Sequence, residues 1–451
     1  MSIIRQESLF DITDLYDMQP THRYEAILSS LNLDPVMAVV VKKSRRGAPA
    51  ELNYGAMVQS LIIRVVERIP DIKQLVRRLN EDPFFRFDCG FLLSDRVPSE
   101  ASYTRIQEKI QEADVLRDVG QDIVHQAMKE GYIQDDTVAI DATHFEARDQ
   151  AKKQEKKPKP EPKKRGRKSK AERDQWLKEK REREADLPLY EKTIEDQRTA
   201  SASALMSQAP LEPAWGIKKN SEGKNVFWFG YKGHIAVGTQ SQYILLSLMT
   251  SGNLNDGKAA IPLLKNLPED RNLPLRYGTF DAGYDYRPIY HQLDDVGLYA
   301  VIAYNRRNEK EMIGFNEHFA PTCVREHSYR YDSYDETYDT LKYTAPKECN
   351  ECPLQYEGVC QKVYKIKRTQ NLRKYSAPAR GSQKWNSIYK RRTAVERVIG
   401  YLKGYFMLNN VRQRTGPKAK MHFQLVTLVY NASKLAVDRL TSTMDQKITA
   451  S

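Results

Sequence analysis

Apolar and polar positions along the chain alternate between two periods. Over the first 130 residues the spacing is helical: Met57, Leu61, Ile62 and Val65 form one stripe, and Ile72, Leu75 and Leu79 another after Pro70-Asp71. Ser99, just after Pro98, is placed to cap a further helix. From Thr137 the pattern turns β-prone. Thr137-Val-Ala-Ile-Asp141 is a short strand ending on an acid, and Leu275-Arg-Tyr-Gly-Thr-Phe-Asp281 is a second, followed by Ala-Gly-Tyr-Asp285. Val226–Val237 and Tyr243–Met249 read as adjacent strands. A helix from Asn253-Leu-Asn-Asp256 towards Leu267, with Asp256 as a cap, a short helix over Pro288–Leu293 and a strand over Leu298–Ala303 complete an α/β series. Tyr389–Lys403 returns to helical spacing, and Phe423, Leu425, Val429, Ala432 and Leu435 mark a last helix expected to pack under the α/β core.

Charge is distributed unevenly. The 451 residues carry a formal net charge of +13, which points to a polyanionic partner. Residues 151–183 hold 16 Lys/Arg against 6 Asp/Glu, a net of +10. That segment is poor in apolar residues and includes Lys157-Pro-Lys-Pro-Glu-Pro162, so disorder in the absence of a partner is expected, with Ser169–Glu184 able to form a charged helix. No apolar run has transmembrane length, and the N-terminus lacks a secretory pattern. A nucleic-acid-facing protein of the cytoplasm is the expected class, with no membrane partner.

Candidate chemistry centres on three acids. An Asp at the end of a buried strand is costly unless it is paired or binds a metal. If Tyr389–Lys403 is one helix, about 100° per residue brings Tyr389, Arg392, Glu396 and Lys403 within an arc of roughly 60°. Two strand-end Asp residues and a helix-borne Glu supply the oxygen ligands that a two-metal phosphoryl-transfer site requires. An exposed helix with intrahelical ion pairs is the alternative for that stretch.

The order Asp141, Asp281, Glu396 resembles the acidic triad of DDE transposases of bacterial insertion sequences. Tyr389-x2-Arg392-x3-Glu396-x6-Lys403 matches the motif of one large branch in all four positions, and Phe280-Asp-Ala-Gly-Tyr-Asp285 is close to that branch's second-Asp motif. Arg78-Leu-Asn-Glu-Asp-Pro-Phe-Phe-Arg86 is similar to the branch's N-terminal domain, and the resemblance extends over about residues 20–440. It implies a ribonuclease-H-like α/β catalytic core whose first and fourth strands lie side by side, bringing Asp141 to Asp281. Asp141 would bridge two Mg2+ (or Mn2+) ions, with Asp281 and Glu396 each completing one site. Arg392 and Lys403 would neutralise phosphates, and Tyr389 would contact a phosphate or stack on a displaced base. The implied partners are double-stranded DNA of the terminal inverted repeats and of the target, with a homodimer in the active complex at the bacterial nucleoid.

The expected division is a helical DNA-binding domain over 1–130 and the first core strand over 136–146. A basic insertion over 147–225, largely disordered, precedes the rest of the core over 226–303. A Cys-containing insertion over 304–375 and C-terminal helices over 376–451, completing the core, follow. Arg77, Arg78, Arg105 and Lys109 on the first domain fit either a helix-turn-helix-like reader or a solvated helical bundle. Within the basic insertion, Arg165-Gly166-Arg167 resembles the core of an AT-hook without its flanking Pro residues, so phosphate contact is the expected use. Cys349-x2-Cys352 with Cys360 and Cys323 supplies four thiolates, enough for a structural zinc site or for unmetallated thiols. Two other functions fit the residues less well: a nuclease of the same fold without strand transfer, and a DNA-binding regulator without catalysis.

Overall fold

The computed structural model describes residues 21–41, 52–92, 94–151, 169–219, 222–267, 274–354 and 357–450. Arg165, Arg167 and the Lys157–Pro162 run lie outside them. The chain divides into two compact units. One comprises residues 1–132, 400–413 and 417–451; the other comprises residues 133–399 and 414–416.

The first unit is helical: α1 (Asp34–Val40), α2 (Tyr54–Val66), α3 (Ile72–Glu81), α4 (Pro83–Asp88), α5 (Glu100–Ala113) and α6 (Val115–Lys129). Side-chain caps start four of them. Asn53, Asp71, Asp82 and Ser99 accept from the backbone N–H of Ala56, Gln74, Phe85 and Ser102 respectively, satisfying donors that have no partner within the helix. Met57, Leu61, Ile62, Val65, Leu75 and Leu79 are buried, as their spacing predicts. The last helix, α14 (Gly416–Ala450), belongs to this unit from Pro417 onwards and does not complete the α/β core as expected from the sequence. Its polar positions explain the difference: Lys420 and Gln424 bond Asp114 at 2.9 and 2.8 Å, and Arg439 bonds Glu130 and Gln126. Periodicity identifies the buried stripe of a helix but not the partner that buries it.

The second unit is built on a six-stranded mixed sheet of β1 (Thr137–Glu146), β2 (Ala214–Lys219), β3 (Asn225–Gly238), β4 (Ile244–Ser251), β5 (Tyr277–Phe280) and β6 (Tyr299–Ile302). The order is β2-β3-β1-β5-β6, with β4 also on β3. β1 runs antiparallel to β3 and parallel to β5, and β5 runs parallel to β6. The first strand and the strand before Asp281 are therefore neighbours despite their separation in sequence. Helix α7 (Lys170–Ala185) begins in a capping box between Ser169 and Glu172, and α8 (Ile194–Thr199) and α9 (Ala202–Ser207) follow. Helices α10 (Asp256–Asn266) and α11 (Arg287–Asp295) connect β4, β5 and β6.

The Cys-containing segment forms a small antiparallel sheet, β7 (Arg330–Asp335), β8 (Thr340–Thr344) and β9 (Val363–Lys367). Its core includes Tyr329, Leu341, Tyr343 and Ile366. Helices α12 (Gln383–Lys390) and α13 (Thr393–Gly404) follow. Among the described residues no helix is long and apolar enough to cross a membrane.

Candidate active site

The β1–β5 register pairs Thr137 with Tyr277 and Ala139 with Thr279. Two residues further along each strand stand Asp141 and Asp281, so the two acids occupy equivalent positions on adjacent parallel strands. Side chains alternate along a strand, which puts both acids on the face that carries Tyr277. That face is covered by α12: Trp385 and Ile388 pack with Tyr277 and Val301 in one buried cluster. The same helix ends at Lys390, immediately before the segment that bears Arg392 and Glu396.

Tyr389–Lys403 is not one continuous helix. α12 stops at Lys390 and α13 starts at Thr393. Between them the backbone closes i→i+3 bonds, Arg391 N–H to Ile388, Arg392 to Tyr389, Ala394 to Arg391 and Val395 to Arg392. Such bonds wind the chain more tightly than an α-helix and bring residues three apart into line. Arg392 consequently sits over the Tyr389 ring, 5.8 Å from its centroid, while that ring stacks on Trp385 at 5.0 Å. Arg392 Nη2 donates to Glu396 Oε1 at 2.8 Å; the Glu396 side chain is 50% exposed and that of Arg392 18%. Lys403 lies in the last turn of α13, beyond residue 399, where the catalytic unit gives way to the helical one.

The electrostatics follow from this placement. Burial pushes the Asp141 carboxyl up to about 7; Asp281 and Asp256 add to the rise, while the Ala142 N–H and Arg392 oppose it. Asp281 is raised as well, again by burial first, against a bond from the Gly283 N–H at 2.9 Å and the charge of Arg392. Both acids thus resist ionisation chiefly because they are buried, and Arg392 offsets part of the rise. Tyr284, buried next to them with a hydroxyl that has no hydrogen-bond partner among the described residues, is raised by burial and by Asp256, Asp141 and Asp281.

Asp256 differs from expectation. Asn255 is the cap of α10, accepting from the Gly257 N–H, and Asp256 is the first helical residue. Asp256 takes an ion pair from Lys232 at 2.8 Å, and Lys232 also donates to the Leu254 carbonyl. The register Asp141↔Ile235, Ala142↔His234 puts Lys232 and His234 on the sheet face opposite Asp141. His234 is buried and bonded to Thr250 at 2.9 Å, which takes it out of reach of DNA. In the sequence, the two-residue spacing of Lys232 and His234 shows only that they share a face of their strand.

A hard divalent cation suits what is present: two desolvated carboxylates that repel each other, with a third on α13. Among the described residues, however, no three His, Cys, Asp or Glu side chains are gathered as a ready-made metal cage. Glu396 is engaged by Arg392 instead. The four cysteines of the insertion are free thiols sharing one locality, where burial and then Cys323, Cys352 and Cys360 raise Cys349. Cys89 is buried in the helical unit.

Paired carboxylates at adjacent positions of β1 and β5, with Arg392 and Glu396 beside α12, fit the class of enzymes that carry out metal-assisted phosphoryl transfer. Residues 196–432 match the profile described as Transposase DDE domain, and residues 13–109 match that described as Transposase domain (DUF772). The first match covers more than half of the chain, which therefore belongs to the DDE transposase family. Its activity is that of a DNA transposase, and the family uses divalent metal ions. The match includes Asp281 and Glu396 and begins beyond Asp141. No curated protein matches the chain at a significant level. Among solved structures it is similar to the piggyBac transposase synaptic complex with hairpin DNA, at 12% identity and a TM-score of 0.38, over 92% of this chain and 73% of that one.

Proposed function

We propose that Asp141, Asp281 and Glu396 form the acidic triad that cleaves DNA at the ends of a mobile element and joins those ends to a target. The single observation that carries this reading is the parallel β1–β5 register, which, continued two residues beyond Ala139 and Thr279, sets Asp141 beside Asp281, 140 positions further along the chain. The order β4-β3-β1-β5-β6, with β2 also on β3, antiparallel neighbours as far as β1 and parallel neighbours from β1 to β6, supports a ribonuclease-H-like core. Asp141 would be shared by two divalent ions, Mg2+ or Mn2+, with Asp281 and Glu396 each completing one site. Bound there, such ions lower the pKa of an attacking water or 3′-hydroxyl and stabilise the leaving oxygen.

The chain's own groups do the rest. Arg392 holds Glu396 until a metal ion draws it away, and its charge opposes the rise in the pKa of Asp141 and Asp281. Tyr389, stacked on Trp385 with Arg392 over its ring, offers its hydroxyl to a phosphate or, once Arg392 moves aside, its face to a displaced base. Lys403 neutralises a phosphate, and Arg165 and Arg167 contact the backbone of flanking DNA. The helical unit that includes residues 1–132 reads the element's ends. Cys323, Cys349, Cys352 and Cys360 share one locality without being gathered as a ready-made cage, and they would have to close around a structural zinc ion. The active complex is a homodimer that brings two ends together on the nucleoid of a bacterial cytoplasm.

The test is incubation with DNA carrying the terminal repeats and Mg2+. Release of 3′-hydroxyl ends and their joining to a second duplex is the expected result, lost in Asp141→Ala, Asp281→Ala and Glu396→Ala with binding retained. Cleavage without joined products would favour a nuclease; binding without any cleavage would favour a regulator.

A further inference from the structure

Asp285 is fully buried, at 0% exposure, on the loop that carries Asp281. Its Oδ1 accepts from Arg373 Nε at 3.0 Å and the Tyr290 hydroxyl at 2.7 Å. Its Oδ2 accepts from Arg373 Nη2 at 2.7 Å and the Asn305 N–H at 2.7 Å. Each oxygen has two donors, and the negative charge meets a bidentate guanidinium whose side chain is only 7% exposed. Arg373 also donates to the Asn305 carbonyl at 2.6 Å, the Tyr304 hydroxyl at 3.0 Å and Glu309. Its own carbonyl accepts from Arg380 Nε and Nη2, and Arg380 continues to the Ile302 carbonyl at the end of β6 and to the Tyr290 hydroxyl.

These bonds join three stretches that are far apart in sequence. One is the single turn Ala282–Tyr284, bracketed by Asp281 and Asp285. The second is the end of β6 with Asn305. The third is the strap around Arg373 and Arg380, which leads through the Ser382 cap into α12 and on to Arg392 and Glu396. A buried ion pair is a poor stabiliser, because desolvation offsets its attraction, but it tolerates only one arrangement of its partners. Resting on the triad reading above, we propose that Asp285 and Arg373 are a positioning pair. It sets Asp281 on one side and the strap to the Glu396 helix on the other, so that the acids meet a divalent ion in register. The last Asp of Phe280-Asp-Ala-Gly-Tyr-Asp285 thereby acquires a role distinct from that of the first.

The experiment is Mn2+ titration of the full chain by calorimetry, without DNA, alongside cleavage at graded Mn2+. Asp285→Asn keeps the shape but removes the charge that holds Arg373. It should weaken Mn2+ binding about tenfold, in line with other outer-shell partners of metal ligands. Cleavage should need correspondingly more Mn2+ and recover at high Mn2+, with affinity for DNA unchanged. Tyr290→Phe removes one donor to Asp285, and because it leaves the ion pair in place it should fold; a shift of about threefold in the same direction is expected. Unaltered Mn2+ affinity in both variants, or a loss of cleavage that Mn2+ does not restore, would overturn the proposal. A parent chain whose Mn2+ binding is insensitive to Asp281→Ala would overturn the triad reading itself, and this inference with it.

Discussion

Arg392 donates to Glu396 across 2.8 Å, and the same guanidinium holds down the pKa of both Asp141 and Asp281. One positive charge thus serves three carboxylates, in the place where divalent ions would otherwise neutralise them. Arg392→Ala should change folding stability by less than about 1 kcal/mol, because the pair it breaks is half-exposed at Glu396. Strand joining should fall by about 10²-fold, the usual cost of losing one charge-stabilising donor at a reacting phosphate. Denaturant unfolding and a joining assay on the same preparation check both parts.

Asp141 sets function against stability. Its folded pKa of about 7 lies above the unfolded value near 4, so its stabilising contribution is full only below the unfolded value and is lost as pH rises to about 7. At pH 8 the metal-free protein carries this charge at a cost. Asp141→Asn should therefore raise stability at pH 8 by on the order of 2 kcal/mol, allowing for the partial exposure of the site, while abolishing cleavage. Mg2+ should raise the Tm of the parent and leave that of the variant unchanged. Thermal unfolding at pH 5 and pH 8, with and without Mg2+, measures the difference.

His234 has the opposite sign. Burial pushes its imidazole down to about 4, with Lys232 adding to the shift and Asp256 opposing it. The unfolded chain takes up this proton first, so stability is fully present above about pH 6.5 and is lost as pH falls towards 4. The expected contribution is on the order of 2 kcal/mol between pH 7 and pH 5. Urea unfolding of the parent and of His234→Gln at the two pH values should show a shallower pH dependence in the variant.

The zinc reading is checked by metal analysis of the purified chain. One zinc per chain is expected, absent in Cys349→Ser, with a strong chelator lowering the Tm of the parent and not that of the variant.

Much of this site is legible in the sequence because its determinants are local. Asp281 follows the last residue of its strand as the sequence indicates, whereas β1 runs five residues past Asp141 to Glu146, and Ser99 announces its helix as a cap. The helix break between Lys390 and Thr393 is not legible, since Arg391 and Arg392 suit an α-helix as well as the tighter turn they adopt. The pairing of Asp285 with Arg373 joins positions 88 residues apart, and neither neighbourhood encodes the other. Asp256 misleads for a related reason: it precedes an apolar helical run as a cap would, while its ion pair comes from a strand in a preceding hairpin. Likewise the polar partners that hold α14 to the helical unit lie some three hundred residues upstream, at Asp114 and Glu130.

The most direct measurement of the central claim is anomalous diffraction from crystals grown with Mn2+. Manganese is expected between the carboxylates of Asp141 and Asp281, with Glu396 turned from Arg392 towards the metal. Manganese bound elsewhere, or Asp141 and Asp281 left unliganded while Glu396 keeps its bond to Arg392 at saturating Mn2+, would contradict it.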